Sequence, residues 1–352
     1  SLVGLHTSGQ FRRTLDYDLA AYQARFDSVT WLSYAAGEGG SFADFAYPRV
    51  AVAAPGRPSP PLLWALAAPA RRAALREASV LRVWNLSGVL PALVAHAHWG
   101  RPYVLQVGYD HVAVAEALGK GWKTPLIQAL RRIAAHRADL VFVPSLALAE
   151  RWGLAKDPVV RSRLVEMPNG VDAERFRPDA EPDPRAKGAV LYVGRFSPEK
   201  NLLRLAEACR RIGAKLVCVG QGPLALALTA AGAELHGPVP NEELPGWYAA
   251  AACFALVSLT EGSPKALLEA MSCGTPCLVG DKELAPDDAL MLVDPHSLAS
   301  ITLGLQALLF LAHEDLGLGL AGRAHVKAHH DLRALLRREV ELVWGVARDH
   351  AR

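Results

Sequence analysis

The sequence predicts an α/β protein built from two doubly wound domains with parallel sheets. Short apolar segments typical of strands alternate with amphipathic helical segments in both halves of the chain, and this alternation indicates βαβ units. A length of 352 residues exceeds that of an ordinary single domain, and a hydrophobic fraction of 51% is enough for two cores.

A break in the alternation divides the chain. Residues 167–172 contain a proline and an Asn-Gly pair, and residues 178–184 are rich in proline and acidic side chains, as is typical of linkers. We therefore expect domains over residues 1–172 and 173–331. Residues 332–352 have apolar side chains at helical spacing and are predicted to form a helix that returns to the first domain.

The individual elements follow from the same periodicity. Strands are expected at 2–5, 29–34, 50–53, 80–84, 103–107, 140–143, 189–193, 216–219, 233–235, 253–258, 276–279 and 289–293. Helices are expected at 17–26, 89–97, 125–136, 198–212, 224–231, 247–252, 264–272 and 298–312. Ligands of doubly wound sheets bind beyond the carboxyl ends of the strands, so the loops after Val193, Val219 and Ser258 are the expected location of a site.

Composition excludes several classes of protein. A net charge of +3 disfavours nucleic-acid binding. The five cysteines, all in the second half, have no disulfide or zinc spacing and are expected to be buried thiols in a reducing compartment. The sequence opens without a secretion signal, and its longest apolar stretch, 298–312, is too short for a membrane span. We therefore expect a cytoplasmic protein.

Two junctions between a loop and a helix have the same design. In residues 193–201 and 259–266 a strand ends, a glycine turns the chain, and Ser-Pro begins a helix, with serine suited to the N-cap and proline to the first helical position. The free N–H groups of both helices, with Arg195 and Lys200, would form a cationic cradle for a diphosphate. The alternative is two ordinarily capped helices with solvated charges.

Seven residues separate Glu261, in the second of these loops, from Glu269 on the following helix. Because a carboxylate accepts hydrogen bonds from two hydroxyls, the pair could hold polyhydroxylated groups at two depths of one cleft. Gly262 lets the backbone approach a ligand. The alternative for Glu269 is a surface helix charge, which its mostly apolar neighbours disfavour.

Three ordered segments, MPNGVDAERFRP, VGRFSPEKN and EGSPKALLEAMSCGTP, together resemble the family-4 retaining glycosyltransferases and their E-x7-E motif. The resemblance covers the linker and the second domain. It implies the GT-B fold, in which two Rossmann-like domains face a central cleft, and a nucleotide-diphospho-sugar as donor. It also implies that Arg195 and Lys200 contact the donor diphosphate, that Glu261 holds the transferred sugar, and that Glu269 binds the ribose hydroxyls.

The resemblance extends less closely to the first domain. Residues 6–10 follow the first strand, where the family carries a glycine-rich loop, but they lack its paired glycines. Residues 106–111, QVGYDH, resemble an R/Q-x-GYD segment of a prokaryotic subset, which makes Asp110 and His111 candidates for the acceptor site. The alternative is a loop acid and a surface histidine.

The expected site residues fall into two groups. The catalytic residues expected are Glu261, Arg195, Lys200, Asp110 and His111. The donor-binding residues expected are Gly9, Gly194, Arg195, Lys200, Gly220, Gly222, Glu261, Gly262, Ser263, Pro264, Lys265, Ala266, Leu268 and Glu269.

We expect no metal and no other cofactor, because no DxD ends a strand and neither a Walker loop nor G-x-G-x-x-G occurs. The cationic cradle would stabilise the leaving diphosphate instead, and the resemblance implies retention by front-face attack. The predicted reaction is transfer of a sugar to a hydroxyl of a glycan, a lipid-linked acceptor or a small molecule. The alternatives are a GT-B nucleotide-sugar epimerase, a non-catalytic nucleotide-sugar binding module and a sugar phosphorylase that uses pyridoxal phosphate.

Basic and apolar residues are interleaved in the first domain, a pattern that can bind anionic membranes. It predicts peripheral association with the inner, cytoplasmic membrane face; the alternative is a set of solvated helix faces. The residues concerned are Arg71, Arg72, Arg76, Lys120, Lys123, Arg131, Arg132 and Arg137, with Trp64, Leu75, Trp122 and Leu126.

Overall fold

The computed structural model describes residues 1–6, 20–33, 50–53, 65–108, 110–117, 119–259, 261, 263–280, 289–314 and 317–351. The chain divides into two compact units. The first consists of Ser1–Pro168 and Arg333–Arg352, and the second of Asn169–Leu332. The chain therefore leaves the first unit after Pro168, near the boundary expected at residue 172, and returns to it in the C-terminal helix.

The first unit contains a parallel sheet with the strand order β3-β2-β1-β4-β5-β6-β7. Its strands are β1 Leu2–His6, β2 Val29–Ser33, β3 Val50–Ala53, β4 Val80–Trp84, β5 Tyr103–Gln106, β6 Leu140–Val143 and β7 Leu164–Glu166. Apart from the added β7, this is the order of a doubly wound sheet. The helices are α1 Ala20–Gln23, α2 Pro69–Glu77, α3 Val89–Trp99, α4 His111–Ala117, α5 Thr124–Arg137, α6 Leu146–Arg151 and α7 Pro158–Arg163.

The second unit repeats this topology in a parallel sheet with the order β10-β9-β8-β11-β12-β13. Its strands are β8 Val190–Val193, β9 Leu216–Val219, β10 Glu234–His236, β11 Cys253–Leu256, β12 Cys277–Val279 and β13 Met291–Leu292. The helices are α8 Leu202–Ile212, α9 Ala225–Ala230, α10 Leu244–Ala250, α11 Lys265–Ser272, α12 Leu298–Glu314 and α13 Gly317–His329. The two predicted doubly wound domains are thus confirmed.

The C-terminal helix α14, Leu332–Asp349, packs on the first unit through a buried polar cluster and an apolar stripe. Arg82 on β4 is fully buried, and its Nε donates to Glu339 Oε1 of α14 at 2.8 Å. The Tyr22 hydroxyl donates to the same oxygen at 2.6 Å. Burial, followed by the charge of Glu339, raises the pKa of Tyr22 well above its usual value. The charge of Glu339 therefore compensates that of a buried arginine in the sheet.

Two local predictions were wrong. Residues 178–184 are not a linker, because the Asp183 N–H donates to Gly246 O at 2.9 Å within the second unit and Pro184–Ala186 forms a 3-10 turn there. The helix expected over 198–212 is interrupted. A 3-10 turn, Pro198–Lys200, ends at Asn201, whose φ of 57° is left-handed, and α8 begins only afterwards.

The five cysteines are free and buried, as predicted. No helix in the described part of the chain has both the length and the hydropathy required to cross a bilayer.

Candidate functional site

Two glycine turns meet at the carboxyl edge of the second sheet, after β8 and β9. Gly194 has a φ of 152° and Gly220 a φ of 137°. A Cβ on Gly220 would lie 2.0 Å from Gly194 O, and one on Gly222 would lie 2.5 Å from Phe196 O. Glycine is therefore required at these positions for the two loops to pack against each other, whether or not a ligand binds.

Arg195 extends into solvent beside the turn after β8. Its side chain is 71% exposed, and Nη2 lies 3.8 Å from Glu199 Oε1. Ser197 occupies the N-cap of the Pro198–Lys200 turn, as predicted, but its hydroxyl donates to Glu199 at 2.5 Å and makes no capping bond to the backbone. Burial acts to raise the pKa of Glu199, but the Ser197 hydrogen bond and the charges of Lys200 and Arg195 outweigh it and lower that pKa.

Lys200 and Glu261 form an ion pair that joins the two predicted junctions. The Lys200 Nζ donates to Glu261 Oε1 at 2.6 Å, and the side chains are only 17% and 8% exposed. The Leu259 N–H donates to Glu199 O at 2.9 Å and links the same two loops through the backbone. The structure therefore places a shielded cation and a shielded carboxylate in direct contact at this edge of the sheet.

Asn201 fixes the position of the turn that carries Lys200. Its Nδ2 donates to Val257 O at 3.1 Å, just after β11, and to Pro295 O at 2.8 Å, after β13. Arg204 donates to Asn201 Oδ1 at 3.1 Å and to Pro295 O at 2.7 Å. The sequence analysis missed this residue, although asparagine is the side chain that most readily adopts a left-handed conformation after glycine.

Glu269 lies on α11, which begins one residue later than predicted because Pro264 is its N-cap. The Tyr248 hydroxyl donates to Glu269 Oε2 at 3.0 Å. Burial, followed by the negative charge of Glu269, raises the pKa of Tyr248 well above its usual value. Glu269 is half-buried, so the alternative interpretation of this residue as a solvated charge on a helix surface does not fit. The side chain of the neighbouring Leu268 lies in the hydrophobic core.

Asn169 contributes to this site from the segment that was predicted as a break. Its Nδ2 donates to Ser263 O at 2.7 Å, in the loop that precedes α11. His330 Nδ1 lies 2.9 Å from Asn169 O, and Val171 forms an isolated β-bridge with Asp331. This backbone anchorage holds the Ser263 carbonyl in place and was not foreseen.

The other predicted residues are placed as follows. Lys265 and Ala266 are half-buried in the first turn of α11. Asp110 and His111 lie in the first unit, where Asp110 Oδ1 accepts a hydrogen bond from the Val112 N–H at 2.9 Å as α4 begins. Gly9 and Gly262 lie outside the described residues. Among the described residues, no group of three or more His, Cys, Asp or Glu side chains is arranged to hold a metal ion.

Residues 187–309 match the family model described as "Glycosyl transferases group 1". The chain is 31% identical over 252 residues to the GDP-mannose-dependent alpha-(1-6)-phosphatidylinositol monomannoside mannosyltransferase of Mycolicibacterium smegmatis. This alignment covers 62% of this chain and 65% of that protein. It is 30% identical to the putative teichuronic acid biosynthesis glycosyltransferase TuaC of Bacillus subtilis, in an alignment that covers 62% of this chain and 59% of that protein. The chain thus spans less than two thirds of the length of these curated relatives.

Solved structures match over nearly the whole chain. Sucrose-phosphate synthase of Thermosynechococcus elongatus gives a TM-score of 0.78 at 18% identity and covers 98% of this chain and 99% of its own. HepE of Anabaena, solved in complex with UDP, gives 0.76 at 15% identity with the same coverage. The expected GT-B fold and the resemblance to GT-B glycosyltransferases are confirmed. Membership of family 4 and the role of the E-x7-E motif stay predictions.

Proposed function

We propose that this chain, whose second unit resembles the group 1 glycosyltransferases, transfers a sugar from a nucleotide-diphospho-sugar to an acceptor hydroxyl. The observation that carries this proposal is the ion pair of Lys200 and Glu261, at 2.6 Å, inside the segment that matches the family model. A cation can stabilise a leaving diphosphate, and an adjacent carboxylate can accept hydrogen bonds from sugar hydroxyls. The pair brings both functions to one edge of the sheet.

The remaining donor contacts extend from this pair. Arg195, whose side chain is exposed in the loop after β8, adds a second positive charge for the diphosphate. Glu269, oriented by the Tyr248 hydroxyl, binds the ribose hydroxyls. The glycine turn after β9, which packs against the loop after β8, is proposed to lie under the nucleoside. The name of one relative specifies GDP-mannose, and HepE has also been solved in complex with UDP-glucose, so these are the first donors to test.

The reaction is proposed to proceed with retention and without a metal ion. The bond between the anomeric carbon and the diphosphate oxygen breaks as Lys200 and Arg195 stabilise the charge on the leaving group. The acceptor oxygen attacks from the same face, and its proton passes to the departing phosphate oxygen. Asp110 and His111 are proposed to orient the acceptor.

The decisive experiment is a panel of UDP-, GDP-, ADP- and TDP-sugars, assayed first for donor hydrolysis and then for transfer to candidate acceptors. We expect turnover with at least one donor in excess EDTA, and a product whose anomeric configuration by NMR is that of the donor. Loss of activity in EDTA that only Mg²⁺ or Mn²⁺ restores would contradict the metal-independent mechanism. Donor binding without turnover would support the non-catalytic binding module.

We also propose that the first unit contacts an anionic membrane surface and that the acceptor is lipid-linked. Trp122 and Leu126, next to the start of α5, are 76% and 69% exposed. Lys120 is exposed beside them, and the Lys123 Nζ lies 5.1 Å from the centre of the Trp122 ring. Exposed aromatic and basic side chains together favour the membrane interface. The name of one relative specifies a phosphatidylinositol-based acceptor.

The surface is smaller than the sequence predicted. Leu75 is fully buried and Arg131 is 5% exposed, so their assignment to a membrane surface was wrong. Arg76 pairs with Glu77 at 2.9 Å, and Trp64 lies outside the described residues.

Liposome flotation tests the membrane proposal. Vesicles that contain phosphatidylserine should carry the protein upward at low salt, and Trp122→Ala with Leu126→Ser should abolish this. Phe310→Ala with Leu303→Ser, which removes similarly exposed apolar side chains from α12 of the second unit, is the matched control and should float normally. A wild-type protein that stays in the soluble fraction would favour a soluble acceptor.

A further inference from the structure

A cavity of about 700 Å³ lies in the first unit, between α5 and the segment that connects α6 to α7. Four of its lining residues are cations, Arg131, Arg132, Arg151 and Lys156, and one is an acid, Asp157. None of the residues proposed to bind the donor lines it. We name these five residues and Trp152 the cationic pocket.

Arg131 forms the inner wall of the cationic pocket and is 5% exposed. Its Nη2 donates to Trp152 O at 2.7 Å. Within the described part of the chain, its Nε and Nη1 have no hydrogen-bond partner. Burial lowers the pKa of Arg131, and the charge of Asp110 partly opposes that shift. A buried guanidinium with unpaired donors is costly, and an anion beside it would offset part of that cost.

Asp157 is the one acid among the described residues of the lining and offsets only one of its four cationic charges. Its Oδ1 accepts a hydrogen bond from the Val159 N–H at 2.9 Å, which caps α7, and its Oδ2 lies 2.7 Å from His136 Nδ1. Arg132 and Lys156 form no ion pair with a described residue. The lining therefore carries an excess of positive charge around a concavity.

We propose that the cationic pocket binds a small ligand that carries a phosphate or diphosphate group. Guanidinium groups match phosphate oxygens in geometry and charge, and the buried Arg131 that lines the pocket has two donors without a partner among the described residues. The volume is that of a small-molecule site, so a compact phosphate ester fits better than a polymer.

Calorimetric titration with pyrophosphate tests this assignment. The protein carries Arg195→Ala with Lys200→Ala, so that neither cation proposed to bind the donor diphosphate contributes. In this background, Arg132→Gln with Lys156→Gln removes two exposed charges of the pocket without disturbing the buried Arg131. Arg333→Gln with Arg337→Gln, exposed on α14 of the same unit and absent from the pocket, is the control with the same change in net charge.

We expect the pocket variant to bind pyrophosphate at least about tenfold more weakly, and the control variant to bind like its parent. Equal affinity of the two variants, or no binding by the parent, would overturn the proposal. Flotation with phosphatidic acid vesicles then distinguishes the source of the phosphate. If the pocket variant floats less than the control with phosphatidic acid vesicles but equally with phosphatidylserine vesicles, the ligand is a lipid headgroup. Unchanged flotation with weakened pyrophosphate binding assigns a soluble ligand.

Discussion

At the scale of single residues, the contact of Lys200 with Glu261 sets the electrostatics of the candidate site. Both side chains are largely withdrawn from solvent, so each charge depends on the other for compensation. Arg195, in contrast, is mostly solvated and only distantly paired. The two cations predicted to act as equals are therefore in very different environments.

This difference predicts a rank order of effects on turnover. Lys200→Ala and Arg195→Ala should each lower kcat by about tenfold to a few hundredfold, because each removes a charge-assisted contact with the leaving group. Lys200→Ala should be the more severe, since it also leaves Glu261 shielded and without its cation. Steady-state kinetics with the identified donor measures both, with exposed Lys187→Ala as control. A double variant with near-normal kcat would refute the diphosphate assignment.

A second residue-scale prediction concerns the buried cluster of the first unit. Glu339→Ala leaves Arg82 buried without its carboxylate and should lower the free energy of unfolding by about 3–5 kcal/mol. Glu341→Ala, two residues along the same helix, removes an exposed pair with Arg25 and should cost under about 1 kcal/mol. Urea unfolding measures both. Equal, small effects would show that the buried pair contributes little. Tyr22→Phe, Arg82→Met and Glu339→Leu together, which replace all three polar groups by apolar ones, should recover much of the loss.

At the scale of elements, the loops after β8 and β9 are held together by backbone contacts that exclude side chains. Gly220→Ala places a Cβ against the Gly194 carbonyl, in addition to the strain of a positive φ. Gly188→Ala is a control for a positive φ without steric overlap, because its φ of 66° lies in the left-handed region and no atom lies within 4 Å. We expect Gly220→Ala to lower the melting temperature markedly more than Gly188→Ala, since it must displace a neighbouring loop and its φ of 137° is more strained. Similar melting temperatures would mean that the loops separate without cost.

The strands and the two site loops could be predicted from the sequence because hydrophobic alternation and glycine are local signals. Asn201 could not be placed, since Ser-Pro-Glu-Lys followed by apolar residues also fits an uninterrupted helix. Asn169 and Arg82 were missed for a different reason. Their partners, Ser263 and Glu339, are distant in the sequence, and no periodicity identifies which remote side chain will meet a polar group. An arginine in a strand pattern predicts an exposed edge rather than a buried ion pair.

At the scale of the whole molecule, the first unit is discontinuous in sequence and the second is not. Removal of residues 333–352 should therefore unfold the first unit, because it exposes the apolar face under α14 and leaves Arg82 uncompensated. The second unit should keep its fold. Limited proteolysis followed by mass spectrometry checks this, with a protected fragment expected near residues 169–332. Equal protection of residues 80–168 would show that α14 is dispensable.

The same discontinuity has a consequence for synthesis on the ribosome. The sheet of the first unit is synthesised early, but α14 follows only after the 164 residues of the second unit. Translation of those residues takes roughly ten to thirty seconds. During that interval no helix covers the part of the first sheet that contains Arg82, whereas the second unit can already fold. The half that is translated first is thus the half that is finished last, and its exposed strands are where a nascent chain of this protein would engage chaperones.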